Sequence, residues 1–308
     1  MTPYRAPWWL PGSHAQTIYP YLALRRAPLT YRRERVETPD GDFVDFDWLP
    51  DGASDAPTVI LLHGLEGSSR SHYATDLLSA AARRGWRGVV PHWRGCSGEP
   101  NRLPRAYHSG DHAETGWILQ AVRARIGTSA AFAIGVSLGG SALLNFLGRG
   151  GGKELTRAAA VSAPIDLPAA GAALDRGWNR IYARNFLKTL VPKAAAKGQC
   201  RGRIRTMREF DDLVTAPLHG FAGVDDYWSR ASSKPWLRTI ELPTLVLNAL
   251  NDPFVPGDSL PKPGEVGAAV TLEQPPHGGH VGFSTGPFPG NLGWLSERLF
   301  RFFDDAAG

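Results

Sequence analysis

The chain of 308 residues has only two cysteines, Cys96 and Cys200. Two thiols cannot build a disulfide framework or a four-ligand zinc site, and each reads as a reduced thiol of a cytosolic protein. Long apolar runs are also missing. No segment approaches the roughly 18 unbroken apolar residues of a membrane span, so stable membrane insertion is not expected. The first 21 residues lack the apolar centre of a signal peptide, because Pro7, Pro11, Gly12 and His14 interrupt them. Together these absences point to a cytoplasmic protein. Internal repeats and low-complexity tails are absent. The formal net charge is +5 and the isoelectric point about 9.4, which invites an anionic partner. The basic residues read as scattered and interleaved with Asp and Glu. The densest groups, at residues 32–35 and 201–205, read as solvated faces. No nucleic-acid-binding motif accompanies them, and no nucleic-acid partner is expected.

What is present suits a soluble globular protein. The chain is 43% hydrophobic and 20% charged, enough for a sizeable core. Length alone suggests about two domains, yet α/β folds often exceed 250 residues as one unit, and residues 1–308 read as one. Apolar runs and turn residues predict strands over 31–37, 43–48, 58–62, 88–91, 131–136, 158–162, 244–250 and 270–273. Helical spacing predicts helices over 71–84, 111–126, 139–147 and 291–303. Strands apolar on both faces and separated by helices imply a mostly parallel central sheet with helices on both faces. Residues 165–237 interrupt the alternation. They are rich in aromatics (Trp178, Tyr182, Phe186, Phe210, Tyr227, Trp228) and show no clear strand. They read as an inserted helical cap, either shaping a substrate pocket or serving as one more packed layer.

The strongest local signal is Gly135-Val136-Ser137-Leu138-Gly139-Gly140. An apolar strand runs into it and a helix leaves it, the context of a nucleophile elbow that exposes a serine at the tip of a strained turn. Side chains at the flanking glycines would collide with neighbouring backbone. The competing reading is a glycine-rich turn whose serine merely caps the helix. A serine nucleophile needs a base. In chain order that base follows the last strand, leaving His277 and His280 in Pro275-Pro276-His277-Gly278-Gly279-His280-Val281-Gly282-Phe283. His280 is preferred, since two glycines let its loop fold over the site while Val281 and Phe283 anchor it. The base needs an acid. Asp252, just past strand 244–250 and 28 positions before His280, fits better than Asp258, which lies further into the loop. The backbone N–H groups of Leu138 and of Leu65, in the loop after strand 58–62, are the expected oxyanion donors.

Other histidines carry weaker signals. His63 could be a base but more readily holds the loop that follows it. His108 and His112 have the i, i+4 spacing of a metal pair, but Gly110 argues for a helix starting at Asp111, which separates them. No metal site is expected. His219 reads as structural or pocket-lining.

Several motifs together resemble a known subfamily. They are Gly12-Ser13-His14-Ala15-Gln16-Thr17, His63-Gly64-Leu65-Glu66-Gly67-Ser68, Trp93-Arg94-Gly95-Cys96-Ser97-Gly98 and the elbow. Phe210-Asp211-Asp212 with Thr215-Ala216-Pro217-Leu218-His219-Gly220-Phe221, Asn251-Asp252-Pro253 and Gly279-His280-Val281-Gly282-Phe283 complete the set. Over nearly its whole length the chain resembles the bacterial YheT-type α/β-hydrolases. Their relatives include yeast medium-chain fatty-acid ethyl ester synthases and mammalian lipid-active α/β-hydrolase proteins. Residues 8–13 depart from the family's Asn-bearing form. The resemblance implies the α/β-hydrolase fold, carboxylester hydrolysis, and acyl transfer to alcohols in some members. It places nucleophile, acid and base at Ser137, Asp252 and His280. The expected partner is a small-molecule acyl ester of short or medium chain, with no cofactor. An aromatic cap on a basic protein leaves room for weak contact with a membrane surface. A non-catalytic binding module is disfavoured because no member of the triad is missing.

Overall fold

The computed structural model describes residues 3–24, 27–50, 52–200 and 202–304. Its centre is one eight-stranded sheet. The strands are β1 (Arg32–Glu37), β2 (Phe43–Trp48), β3 (Thr58–Leu62), β4 (Arg87–Pro91), β5 (Ala131–Val136), β6 (Arg157–Val161), β7 (Thr244–Leu247) and β8 (Val270–Glu273), in the order β1-β2-β4-β3-β5-β6-β7-β8. β1 pairs antiparallel with β2, and β2 antiparallel with β4. All other pairs are parallel. The helices are α1 (Ser13–Leu22), α2 (His72–Arg83), α3 (His112–Ile126), α4 (Leu138–Gly148), α5 (Leu167–Leu174), α6 (Arg180–Ala196), α7 (Met207–Phe210), α8 (Ala216–Leu218), α9 (Val224–Ala231) and α10 (Gly293–Asp304).

Every strand and helix expected from the sequence is present, with ends shifted by three residues or fewer. The shifts have local causes. α3 starts at His112 because the Asp111 carboxylate caps it, accepting from Glu114 N–H at 3.2 Å. α10 starts at Gly293, whose N–H donates to Asn291 Oδ1 at 2.9 Å.

Period-2 alternation along the strands divides the core between the two faces of the sheet. Ile60, Leu62, Ala133 and Val246 pack beneath α3 and α4 with Ile118 and Leu143. Val59, Leu61, Ile134 and Leu245 face the other way and meet Leu77 of α2 and Phe300 of α10.

The chain passes from β3 outward to β4 and then returns to β5 on the other side of β3. β3 and β5 therefore flank the point where the strand order reverses, which is where crevices open at the carboxyl ends of such sheets. Their register pairs Leu62 with Gly135. The loop leaving β3 and the elbow leaving β5 are thus side by side.

Between β6 and β7 the described residues hold helices and no strand. The segment enters and leaves at one place, where Lys234 N–H donates to Ile165 O at 3.0 Å and Leu167 N–H to Ser232 Oγ at 2.9 Å. It has an apolar cluster of its own, including Leu187, Leu190, Met207, Phe210 and Val214. Inside it, α7 passes through a π-helical turn (Asp211–Thr215) into α8. Among the described residues no helix is long and apolar enough to cross a membrane.

Candidate active site

Ser137 sits between β5 and α4 with φ 53° and ψ −120°, a backbone conformation costly for a residue with a side chain. The turn is enforced by its neighbours. Ser137 N–H donates to Val161 O at 2.9 Å, and Ser141 N–H to Ser137 O at 3.1 Å. A Cβ on Gly139 would lie 2.3 Å from Leu62 O, and one on Gly135 2.6 Å from Gly139 O. Both contacts are with backbone, so neither can yield by a rotamer change. The serine hydroxyl points out of the sheet at the N-terminus of α4.

His280 Nε2 lies 3.0 Å from Ser137 Oγ, and His280 Nδ1 lies 2.8 Å from Asp252 Oδ2. Asp252 is buried, and its other oxygen accepts from Phe254 N–H at 2.8 Å and Val255 N–H at 3.3 Å. With one oxygen fixed by backbone, the other is left to orient the imidazole. The Phe254 ring packs against His280, centroids 4.4 Å apart. The alternatives lie elsewhere. His277 is exposed, with its ring 3.5 Å from the Asn251 amide, and Asp258 is exposed on the turn Gly257–Ser259.

The loop carrying His280 is strained and tightly pinned. Val281 has φ 57° and Phe283 φ 38°, unusual for a β-branched and an aromatic residue. Val281 N–H donates to Ser162 Oγ at 3.0 Å. Two further anchors come from α1, more than 260 residues away. Thr17 Oγ1 accepts from His280 N–H at 2.9 Å, and Gln16 Oε1 accepts from Gly278 N–H and from Asn251 Nδ2, each at 3.0 Å. Gln16 and Thr17 belong to a motif on which the family resemblance rests, but nothing in their spacing assigned them a task.

The loop after β3 runs against the serine: a Cβ on Gly64 would be 3.1 Å from Ser137 Cβ. Among the described residues the amides of Leu65 and Leu138 have no protein acceptor, which leaves two N–H donors available beside Ser137. Glu66 follows with φ 55°. Its N–H donates to Tyr107 Oη at 2.9 Å, and its carboxylate accepts from Tyr107 O–H at 2.9 Å and pairs with Lys193 Nζ of α6 at 2.7 Å. This cluster ties the inserted helices to the loop. Cys96 lies beside it and stays a thiol, since burial pushes its pKa up to about 12.

His63 is fully buried and fixes the start of the same loop. Its Nε2 accepts from Trp93 N–H at 3.1 Å while Nδ1 lies 2.8 Å from Gly64 O. Burial depresses its pKa to about 3, so it is neutral. His108 and His112 do not pair: each ring turns to the backbone of Gly110, at 3.2 Å. His108 packs on His219 instead, ring centroids 4.4 Å apart. Burial lowers the first to about 4 and the second to about 3. Among the described residues no three His, Cys, Asp or Glu side chains come together as a metal site would need.

A cavity of about 790 Å³ opens from Ser137, Leu138, Leu65 and His280 into the inserted helices. Leu174, Phe186, Leu190, Met207, Phe210 and Val214 make its far wall apolar. Its size and its few convergent polar groups match a small-molecule site.

The fold and this arrangement are those of a hydrolase, and the chain belongs to the α/β-hydrolase family: residues 57–287 match the family described as alpha/beta hydrolase fold. Within it the chain is YheT-like. It is 40% identical over 301 residues to YheT of Escherichia coli (strain K12), a protein provisionally named an esterase, covering 93% of this chain and 88% of that one. It is 29% identical to the Homo sapiens phospholipase ABHD3, over 97% of this chain and 77% of the relative. Among solved structures, the Pyrococcus furiosus esterase Pf2001 superposes with a TM-score of 0.61 at 17% identity, covering 91% of this chain and 94% of that one, a likeness of fold.

Proposed function

We propose that the protein is a serine carboxylesterase that hydrolyses short- to medium-chain acyl esters, with Ser137 as nucleophile, His280 as base and Asp252 as its acid partner. The observation that carries this reading is the continuous chain Asp252 Oδ2, His280, Ser137 Oγ, with links of 2.8 and 3.0 Å. His280 Nε2 takes the hydroxyl proton as Oγ attacks the ester carbonyl, and Asp252 stabilises the imidazolium through Nδ1–H. The oxyanion forms against the amides of Leu65 and Leu138, with the N-terminus of α4 adding to the positive field. His280 then protonates the departing alcohol. Water, deprotonated by the same imidazole, releases the acid from the acyl-serine. The helices between β6 and β7 act as a cap whose apolar wall holds the acyl chain. Relatives named phospholipase and monoacylglycerol lipase favour acyl esters of lipid origin.

Labelling with a fluorophosphonate probe tests the nucleophile. Wild type should label and Ser137→Ala should not; equal labelling of both would overturn the reading. A chain-length series of nitrophenyl esters should show hydrolysis abolished by His280→Ala and retained by His277→Ala. Adding an alcohol separates hydrolysis from acyl transfer by the product formed.

A further inference from the structure

The basic residues are not scattered, contrary to the reading of the sequence above. Residues 176–208 hold ten Lys and Arg and no Asp or Glu. Outside that stretch 24 basic residues face 29 acidic ones. The whole positive charge of the protein therefore resides in one part of the cap, α6 and its flanks. Arg201 lies outside the described residues, but the others can be placed. Arg180, Arg184 and Lys188 recur at four-residue spacing on the exposed face of α6, while Ala183, Leu187 and Leu190 bury the opposite face. Among the described residues none of these three cations, nor exposed Arg176, has an acidic partner within ion-pair distance.

Exposed apolar side chains lie on this stretch and on the two segments that adjoin its start. Trp178 is 75% and Ile181 56% exposed, at the start of α6. Ile18, Tyr21 and Leu22 form an exposed stripe on α1, and Leu250 is exposed on the loop before Asp252. These three segments touch. His14 stacks on Tyr182, with Nδ1 3.1 Å from its hydroxyl. Asn251 donates to Gln16, and Asn179 Nδ2 donates to Pro253 O at 2.5 Å. The patch is therefore anchored to the loops that carry Asp252 and His280. Lone exposed apolar residues are ordinary, whereas a contiguous group rimmed by unpaired cations marks an interaction surface.

We propose that this face, α1 with the start of α6, docks on an anionic lipid surface. Trp178 and Ile181 would enter the interface, and Arg176, Arg180, Arg184 and Lys188 would meet lipid headgroups. The apolar face of α6 is spent inside the protein, so docking would rest on attraction of the exposed cations to anionic headgroups together with shallow entry of the exposed Trp178 and Ile181. Acyl esters would pass from that surface into the cavity beneath α6; this second step rests on the esterase reading, and the docking does not.

The test is flotation of the full chain with vesicles of phosphatidylcholine, with and without a third phosphatidylglycerol. Wild type should float with the anionic vesicles and be released by 0.5 M salt, and it should ignore the neutral ones. Trp178→Ser with Ile181→Ser, and separately Arg180→Glu with Arg184→Glu and Lys188→Glu, should each weaken binding at least tenfold. Neither set touches the triad, so hydrolysis of a soluble nitrophenyl ester should be unchanged while hydrolysis of an ester held in anionic vesicles falls. No flotation, or flotation indifferent to lipid charge, overturns the proposal. So does binding to heparin or duplex DNA as tight as to vesicles and unaffected by loss of Trp178, which would mark a general polyanion site. Flotation without hydrolysis of any ester would leave the docking standing and remove the esterase reading.

Discussion

Replacing Thr17 with Val should lower catalysis from a site that never touches substrate. The two side chains are nearly the same shape, so packing is preserved, but the acceptor for His280 N–H disappears. That amide sits in a crowded turn: a Cβ on neighbouring Gly279 would be 2.8 Å from Thr17 Oγ1 and 2.9 Å from Thr17 N. The bond is part-buried, so leaving its donor unpaired costs at most the roughly 1–3 kcal/mol of a fully buried one. The loop can recover part of this by shifting toward water, which lengthens the 3.0 Å link from Nε2 to Ser137 Oγ. Displacement of a reacting group by about 1 Å is worth roughly 100-fold in rate. The expected outcome is kcat on a soluble nitrophenyl ester reduced about 10- to 100-fold, with KM within about twofold because the cavity wall is intact. Thr17→Ser, which keeps the acceptor, should restore most of the rate. Steady-state kinetics beside a thermal melt decides the matter. If Thr17→Val lost thermal stability but kept kcat within twofold of wild type, the idea that α1 positions the imidazole would be refuted.

Three further outcomes follow from the geometry. Gly139→Ala places a Cβ 2.3 Å from Leu62 O, so it should yield protein that is insoluble or lacks fluorophosphonate labelling; a soluble, fully labelled variant would contradict the elbow geometry. Lys193→Met removes the pair with Glu66. Because Lys193 is 44% exposed, stability should change by less than about 1 kcal/mol, while kcat falls severalfold as the loop bearing Leu65 loosens. Unchanged kcat would show that the loop needs no tie to the cap. Finally, burial holds the pKa values of His63, His92, His108 and His219 below the usual histidine value. As pH falls below about 6.5, the unfolded chain takes up protons that the fold refuses, so stability present above 6.5 is lost toward pH 4. Each such group removes about 1.4 kcal/mol per pH unit across its window. Burial raises Asp211 to about 6 and Glu114 to about 7. Those two act in the opposite sense, stabilising the fold as pH falls toward 4. With four groups against two, the melting temperature should drop between pH 6.5 and 4.5, and less steeply in His219→Gln; a flat profile would refute the balance.

The alternation of strands and helices was legible because each buried strand is a short branched apolar run, and each main helix begins or ends at a local cap such as Asp111 or Gly127. That Ser137, Asp252 and His280 would lie together was legible because the elbow and the strand ends are local patterns with a fixed chain order. The work of Gln16 and Thr17 was not, since it consists of single acceptors reaching across the fold to loops 235 to 263 positions away. The π-helical turn over Asp211–Thr215 was also hidden, because a one-residue widening of a helix leaves no periodic trace in so short a segment. The charge of residues 176–208 could have been read from the sequence. Attention to dense clusters such as 201–205 obscured a longer stretch whose mark is the absence of acids.

The meeting of Ile165 and Lys234 across one hydrogen bond bears on how such a protein diversifies. Entry and exit of the inserted helices are neighbours, so the scaffold sees the insert as a short closed loop whatever its internal length. Strands β6 and β7 would keep their pairing if the segment between those two residues were exchanged for a relative's. An exchanged insert must still meet Glu66 and Pro253 as Lys193 and Asn179 do, or the loops beside Ser137 lose their ties to it.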